Sequence, residues 1–227
     1  MPIYPGKVKE VRIDPSEQTS VWISCPKQAI PPPGRYVVAN YAGAILGFPL
    51  FLERITEDGF LAAPPAPPGL EPGAALSLRG PLGRGFKLPA IAQRLALASF
   101  DLSAARLLSL AEQAIQIGAE VAIYCDSPLP GLPSAMESAP LSALPEALPW
   151  ADFLAIEIPL ELLPTLRGHL GISNHGFLQC PGQALISAPM PCAGLAECGV
   201  CAVKTGRGWK LCCKDGPVFD LHQVLSV

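Results

Sequence analysis

Apolar and polar positions alternate with a period of about two over several short runs in the first third of the chain. Lys7–Ile13 and Thr19–Cys25 read this way, Arg35–Tyr41 follows the stiff Pro31-Pro32-Pro33-Gly34 turn, and Pro49–Ile55 and Ala75–Arg79 continue the pattern. A period of two turns successive side chains to opposite faces, so these runs are expected to be half-buried strands. Glu57-Asp58-Gly59 is a hairpin-type turn, and proline-rich Ala62–Gly73 is a stiff connector. Strands at this spacing predict a small barrel or sandwich. Gly80-Pro81-Leu82-Gly83-Arg84-Gly85-Phe86 closes the segment, with three glycines that permit tight turns and close backbone approach.

The period then changes. Arg94–Ser99 is a short apolar strand, and Asp101 or Ser103 can cap a helix running to about Ile117, with Leu107, Leu108, Ala111, Ala114 and Ile115 as its apolar face. Gly118 ends that helix, and Val121–Cys125 is a second buried strand. After a Pro- and Ser-rich stretch, Ala151–Ile158 supplies a third, followed by a helix-like segment from Leu160 to about His169. Strand, helix and strand joined by short connections imply a small parallel α/β unit. From about Phe177 the composition shifts to Cys, Gly, Lys and Asp, marking a third module too short for a large core of its own.

Composition narrows the function. Half of the 227 residues are hydrophobic and only 15% are charged, so there is enough apolar surface for real cores. A net charge of −3 and the absence of Lys/Arg runs offer nucleic acid no basic field. The N-terminus lacks the basic-then-apolar pattern of a secretory signal, and no window approaches the ~18 uninterrupted apolar residues of a membrane helix. The expected location is the cytoplasm, without membrane insertion. There is no Gly-x-Ser-x-Gly and no P-loop, and His169, His175 and His222 are too scattered for a metal triad.

The cysteines carry the chemistry. Cys192, Cys198, Cys201, Cys212 and Cys213 fall within 22 residues, while Cys25, Cys125 and Cys180 are scattered and read as small buried hydrophobes. In a reducing compartment such a dense group points to metal. Thiolates on one loop, with the last ligand from further along the chain, form the plant-type [2Fe–2S] arrangement. Ala193, Gly194, Ala196 and Gly199 are small enough for the main chain to approach bridging sulfides and donate hydrogen bonds. Zinc also takes four cysteines, commonly as two short knuckles. Here the first gap is five residues, Cys212 and Cys213 are adjacent, and no second two-residue knuckle exists. A redox dithiol at Cys198 and Cys201 is the third reading. Trp209 and Phe219 flank the last cysteines and are placed to shield a cluster from water.

Pro191-Cys192-Ala-Gly-Leu-Ala-Glu-Cys198-Gly-Val-Cys201, followed by Cys213-Lys-Asp-Gly-Pro-Val-Phe219, resembles the iron–sulfur domain of the dihydroorotate dehydrogenase B electron-transfer subunits, within the ferredoxin–NADP reductase-like superfamily. Pro33-Gly34-Arg35-Tyr36-Val37 and Gly80–Phe86 resemble that family's barrel strand and barrel exit. The resemblance implies a flavin-reductase-like β-barrel over 1–90, a Rossmann-like parallel α/β domain over 91–172 and a [2Fe–2S] cluster-binding domain over 173–227. It implies Cys192, Cys198, Cys201 and Cys213 as ligands, with Cys212 spare. It also implies a flavin-containing, dihydroorotate dehydrogenase-like catalytic partner and a place in pyrimidine biosynthesis, the chain itself being a non-catalytic electron-transfer component.

The family's flavin motif, Arg-Arg-Pro-hydrophobic-Ser/Thr-hydrophobic, is replaced by Gly47-Phe48-Pro49-Leu50-Phe51-Leu52, which has lost both arginines and the hydroxyl. Pro49, Gly80 and Gly83 are the flavin positions that survive, so FAD is expected only if Arg54, Arg79 and Arg84 supply the lost cations. A reductase with a divergent FAD site is the alternative function, and a zinc or cluster-sensing module is another. After the first α/β strand, Ser99-Phe100-Asp101-Leu102-Ser103 has no glycine and places an anion where phosphate would sit, so NAD(P) binding is not expected.

Overall fold

The computed structural model describes residues 1–13, 17–67, 69–100, 103–127, 129, 132–173 and 176–226. Six strands, β1 (Ile3–Ile13), β2 (Thr19–Ser24), β3 (Tyr36–Tyr41), β4 (Phe48–Thr56), β5 (Gly59–Ala62) and β6 (Ala75–Leu82), close a barrel in the order β1-β2-β5-β4-β3-β6. Every pairing in it is antiparallel. Alternation decides what fills it. Val37, Ala39, Leu50 and Leu52 point inward to join Val8, Val21, Ile23, Phe60 and Leu78. Their neighbours Tyr36, Val38 and Phe51 point outward, yet are buried too, against the rest of the molecule. β5 was not visible as a strand in the sequence. All four of its residues are buried, so it shows no alternation, and Gly59 leaves the room that lets it lie against the Ile23 carbonyl.

The second sheet contains β7 (Arg94–Ser99), β8 (Glu120–Tyr124), β9 (Met136–Ala139), β10 (Phe153–Pro159) and β11 (Gly182–Ser187), all parallel. An antiparallel edge strand, β14 (Val218–Asp220), completes the order β14-β11-β10-β7-β8-β9. Strands covered on both faces need continuous apolar runs, and Leu95–Ala98 and Leu154–Ile156 meet that need. Helix α1 (Ala105–Gln116) packs Leu107, Leu110, Ala111 and Ala114 on one face, against Leu95, Leu97, Val121 and Ile123. Its first two turns are buried all round because β4 of the barrel covers the other flank. Ser103 Oγ accepts from Ala105 N–H at 3.4 Å at the start of the helix, whereas Asp101 lies outside the described residues, as does His175.

On the opposite face lie two short helices, α2 (Leu144–Ala147) and α3 (Leu166–His169), the latter entered through a 3₁₀ segment, Leu160–Thr165, that contains Pro164. A hairpin of β12 (Ala202–Thr205) and β13 (Gly208–Leu211), with helices α4 (Cys212–Asp215) and α5 (Leu221–Leu225), forms the C-terminal module. β11 and β14 come from the segment whose composition marked that module, and both pair into the α/β sheet. A module this small is held by backbone ladders to its neighbour. No helix among the described residues is long and apolar enough to cross a membrane.

Candidate metal centre

Cys192, Cys198 and Cys201 sit on the loop joining β11 to β12, and Cys213 sits on α4. Ala193, Gly194, Ala196 and Gly199 all hold positive φ, between 49° and 76°, which folds the loop back on itself and turns its N–H groups inward. Burial works to raise the Cys192 thiol. The backbone N–H of Glu197, the Cys198 side chain, and the N–H groups of Cys198 and Ala196 outweigh it, bringing Cys192 down to about 6. Cys213 is raised, first by burial and then by its contact with the Cys201 thiol, and the Ala196 N–H reaches it as well. Cys192 thus interacts with Cys198, and Cys213 with both Cys201 and Cys192, with Ala196 N–H reaching Cys192 and Cys213. Among the described residues no three such side chains gather round one point.

Exposure is graded across the four. Cys201 and Cys213 are buried, Cys192 is half-buried and Cys198 is open to solvent. Cys212 is completely buried, and burial pushes its thiol up to about 12, as suits an inert neutral group. Cys180 is buried, Cys25 and Cys125 are half-buried, and burial raises all three thiols. All eight cysteines are free thiols.

The barrel grips this loop, which the sequence did not reveal. Tyr36 Oη on β3 donates to the Cys213 carbonyl at 2.8 Å, and Gly194 packs against the same hydroxyl so closely that a Cβ there would lie 2.6 Å from it. Arg79 on β6 donates to the Ala193 carbonyl. Arg84 N–H donates to Gly216 O, and Val218 N–H returns a bond to Arg84 O. Asp215 Oδ2 accepts from Leu211 N–H at 3.0 Å and shapes the turn that presents Cys213. Phe219 is buried, while Trp209 is 70% exposed on β13 and cannot shield the loop from water as its place in the sequence implied.

The positions singled out for flavin are placed as follows. Pro49 pairs with Val38 inside the barrel wall. Gly80, at φ 144°, lies against the Tyr36 carbonyl, and Gly83, at φ 70°, lies against Gly216 and Pro217. Arg79 is engaged with the cysteine loop, and Arg54 pairs with Glu53 at 3.6 Å. A Cβ on Gly83 would stand 2.6 Å from Gly216 O and 2.8 Å from the Pro217 ring. Gly83→Val is therefore expected to cost ~3 kcal/mol or more, combining left-handed strain with displacement of the Cys213 turn. Thermal denaturation together with the iron content of the purified variant checks this.

Residues 190–225 match the iron–sulfur cluster binding domain of dihydroorotate dehydrogenase B. The chain resembles the dihydroorotate dehydrogenase B electron-transfer subunits. It is 25% identical to the electron transfer subunit of dihydroorotate dehydrogenase B (NAD(+)) from Desulforamulus reducens, over 68% of this chain and 67% of that protein. It is 38% identical to sulfhydrogenase 1 subunit gamma of Pyrococcus furiosus over 53 residues, 23% of this chain and 18% of that subunit. In fold it superposes on NADH-dependent reduced ferredoxin–NADP oxidoreductase with a TM-score of 0.75, over 95% of this chain and 87% of that one at 16% identity. The ferredoxin reductase of carbazole 1,9a-dioxygenase gives 0.57 over 75% of this chain and 63% of that one, at 18% identity. The ferredoxin reductase-like fold and the iron–sulfur module expected from the sequence are both present.

Proposed function

We propose that this chain is the iron–sulfur electron-transfer component of an oxidoreductase complex, passing electrons to or from a flavin-containing, dihydroorotate dehydrogenase-like catalytic subunit. The observation that carries this reading is that Cys192, Cys198, Cys201 and Cys213 lie on a loop of left-handed residues and the adjoining α4, within the span that matches the iron–sulfur cluster binding domain. Each iron of a [2Fe–2S] cluster needs two thiolates, and these four cysteines would supply both pairs. When bound, the cluster supplies a one-electron couple.

The residues of the chain do the rest. The N–H groups of Ala196, Glu197 and Cys198 stabilise thiolate charge at Cys192. Tyr36 and Arg79 hold the loop's carbonyls from the barrel side, so the ligand geometry is set before assembly. Cys198, the exposed ligand, marks the edge through which an electron reaches a partner. A cytoplasmic location, where thiols stay reduced, suits thiolate ligands and the further unpaired cysteines.

Anaerobic purification followed by iron, acid-labile sulfide and zinc analysis tests the proposal. Two irons and two sulfides per chain are expected, with a visible spectrum that bleaches on reduction. Stoichiometric zinc without sulfide would sink it.

A further inference from the structure

In open α/β sheets a ligand lies in the crevice outside the carboxyl ends of the strands. Here that edge is formed by Ser99 of β7, Glu157 of β10 and Ser187 of β11, and it faces Phe51 on the outer wall of β4. We propose that this crevice is sealed by the chain's own side chains, so that the protein takes neither a flavin nor a dinucleotide there. Arg106, in the first turn of α1, reaches across it. Its Nη1 donates to Glu157 Oε1 at 3.0 Å and to Ser187 Oγ at 3.2 Å. Its guanidinium carbon stands 4.5 Å from the centre of the Phe51 ring, and Phe51 in turn packs on Tyr36 at 5.6 Å. Phe100 closes the side, its N–H donating to Glu157 O at 2.9 Å.

Ser99, Phe100 and Glu157 are at most 2% exposed, Phe51 5% and Arg106 9%. Arg106 Nε, Ser109 Oγ and Glu157 Oε2 are buried with no hydrogen-bond partner among the described residues, so the pair is enclosed away from solvent. A drug-sized or larger ligand needs a cavity of ~300 Å³ or more. The described residues form clefts elsewhere, one of about 1120 Å³ beside α5 and others of about 400 to 600 Å³, and none of these four is lined by Phe51, Arg106 or Glu157. Phe51 stands where the flavin motif carries its hydroxyl, so the substitution that removes the motif also fills the space. The seal stands on the fold alone. That the cluster is then the only redox centre rests also on the function proposed above.

The full chain, purified without oxygen, would be dialysed against FAD and separately against NADH. Hydrogen exchange would be followed at Leu50–Leu52 and Ala105–Ser109 with and without each ligand. The expected result is no saturable binding, unchanged exchange in both segments, and a single electron per chain in reductive titration. Saturable FAD or NADH binding, or ligand-induced protection of either segment, would overturn the seal. The two readings fail separately. Iron and sulfide with saturable FAD binding removes the seal and leaves the relay, and no iron with no flavin binding does the reverse.

Discussion

Cys213→Ser is expected to yield protein without a stable cluster, while Cys212→Ala keeps iron, sulfide and the visible spectrum. The two thiols are neighbours in sequence, but α4 separates their fates. Cys213 meets Cys201 and the Ala196 N–H, whereas Cys212 is fully buried among apolar groups. A serine oxygen in place of one of four thiolates removes the softer ligand that an iron–sulfur site selects. Loss of the Cys212 sulfur removes a small hydrophobe, at a cost of about 1 kcal/mol without touching the ligand set. Iron and sulfide analysis beside the thermal midpoint of each variant separates the two effects. Equal cluster loss in both variants would show that α4 presents its cysteines differently.

Arg106→Met should destabilise the chain by ~3–5 kcal/mol in alkaline buffer, where it strands an ionised Glu157 in the interior without a counter-charge. The pair is 3.0 Å apart and Glu157 is 1% exposed, so water cannot compensate. Burial raises the Glu157 carboxyl from its ordinary 4.5 to about 7, although Arg106 pulls the other way. A folded pKa above the unfolded one means that the native state holds the proton longer. The associated stability is complete below about 4.5 and is lost as pH rises through about 7. The penalty of Arg106→Met should therefore shrink in mildly acidic buffer, where Glu157 can neutralise itself. Arg106→Met combined with Glu157→Leu should recover most of the loss. Denaturant unfolding of the single and double variants on both sides of that range measures this. A pH-independent penalty would show that Arg106 acts through packing on Phe51 instead.

Much of the barrel was legible because β1, β2 and β6 alternate, a period of two that survives in any half-buried strand, and because Arg35–Tyr41 is β-rich. β5 and β9 were missed for a shared reason: each is four residues long, too short to display a period. The apolar face of α1 was read nearly right, but Leu110 joins it against the sheet and Ile115 is only partly buried, while β4 covers a flank, with Arg106 and Ser109, that sequence periodicity assigns to solvent. Within the metal centre the cysteines announced themselves by type and spacing. Tyr36 and Arg79 did not, because each acts on a backbone carbonyl more than a hundred residues away, and a carbonyl leaves no mark in a sequence.

By itself the sequence determined the candidate ligands, the succession of barrel, α/β unit and cysteine module, and the loss of the arginines and glycines that would hold a nucleotide. These are local properties, set by side-chain chemistry and by periods of two or 3.6 residues. Only the tertiary structure decided that Tyr36 and Arg79 hold the cysteine loop, that β11 and β14 finish the α/β sheet, and that Arg106, Glu157 and Phe51 meet across the crevice. Those outcomes depend on how separate segments share buried space. A missing motif says that a ligand has lost its contacts, and only packing shows what has taken the room.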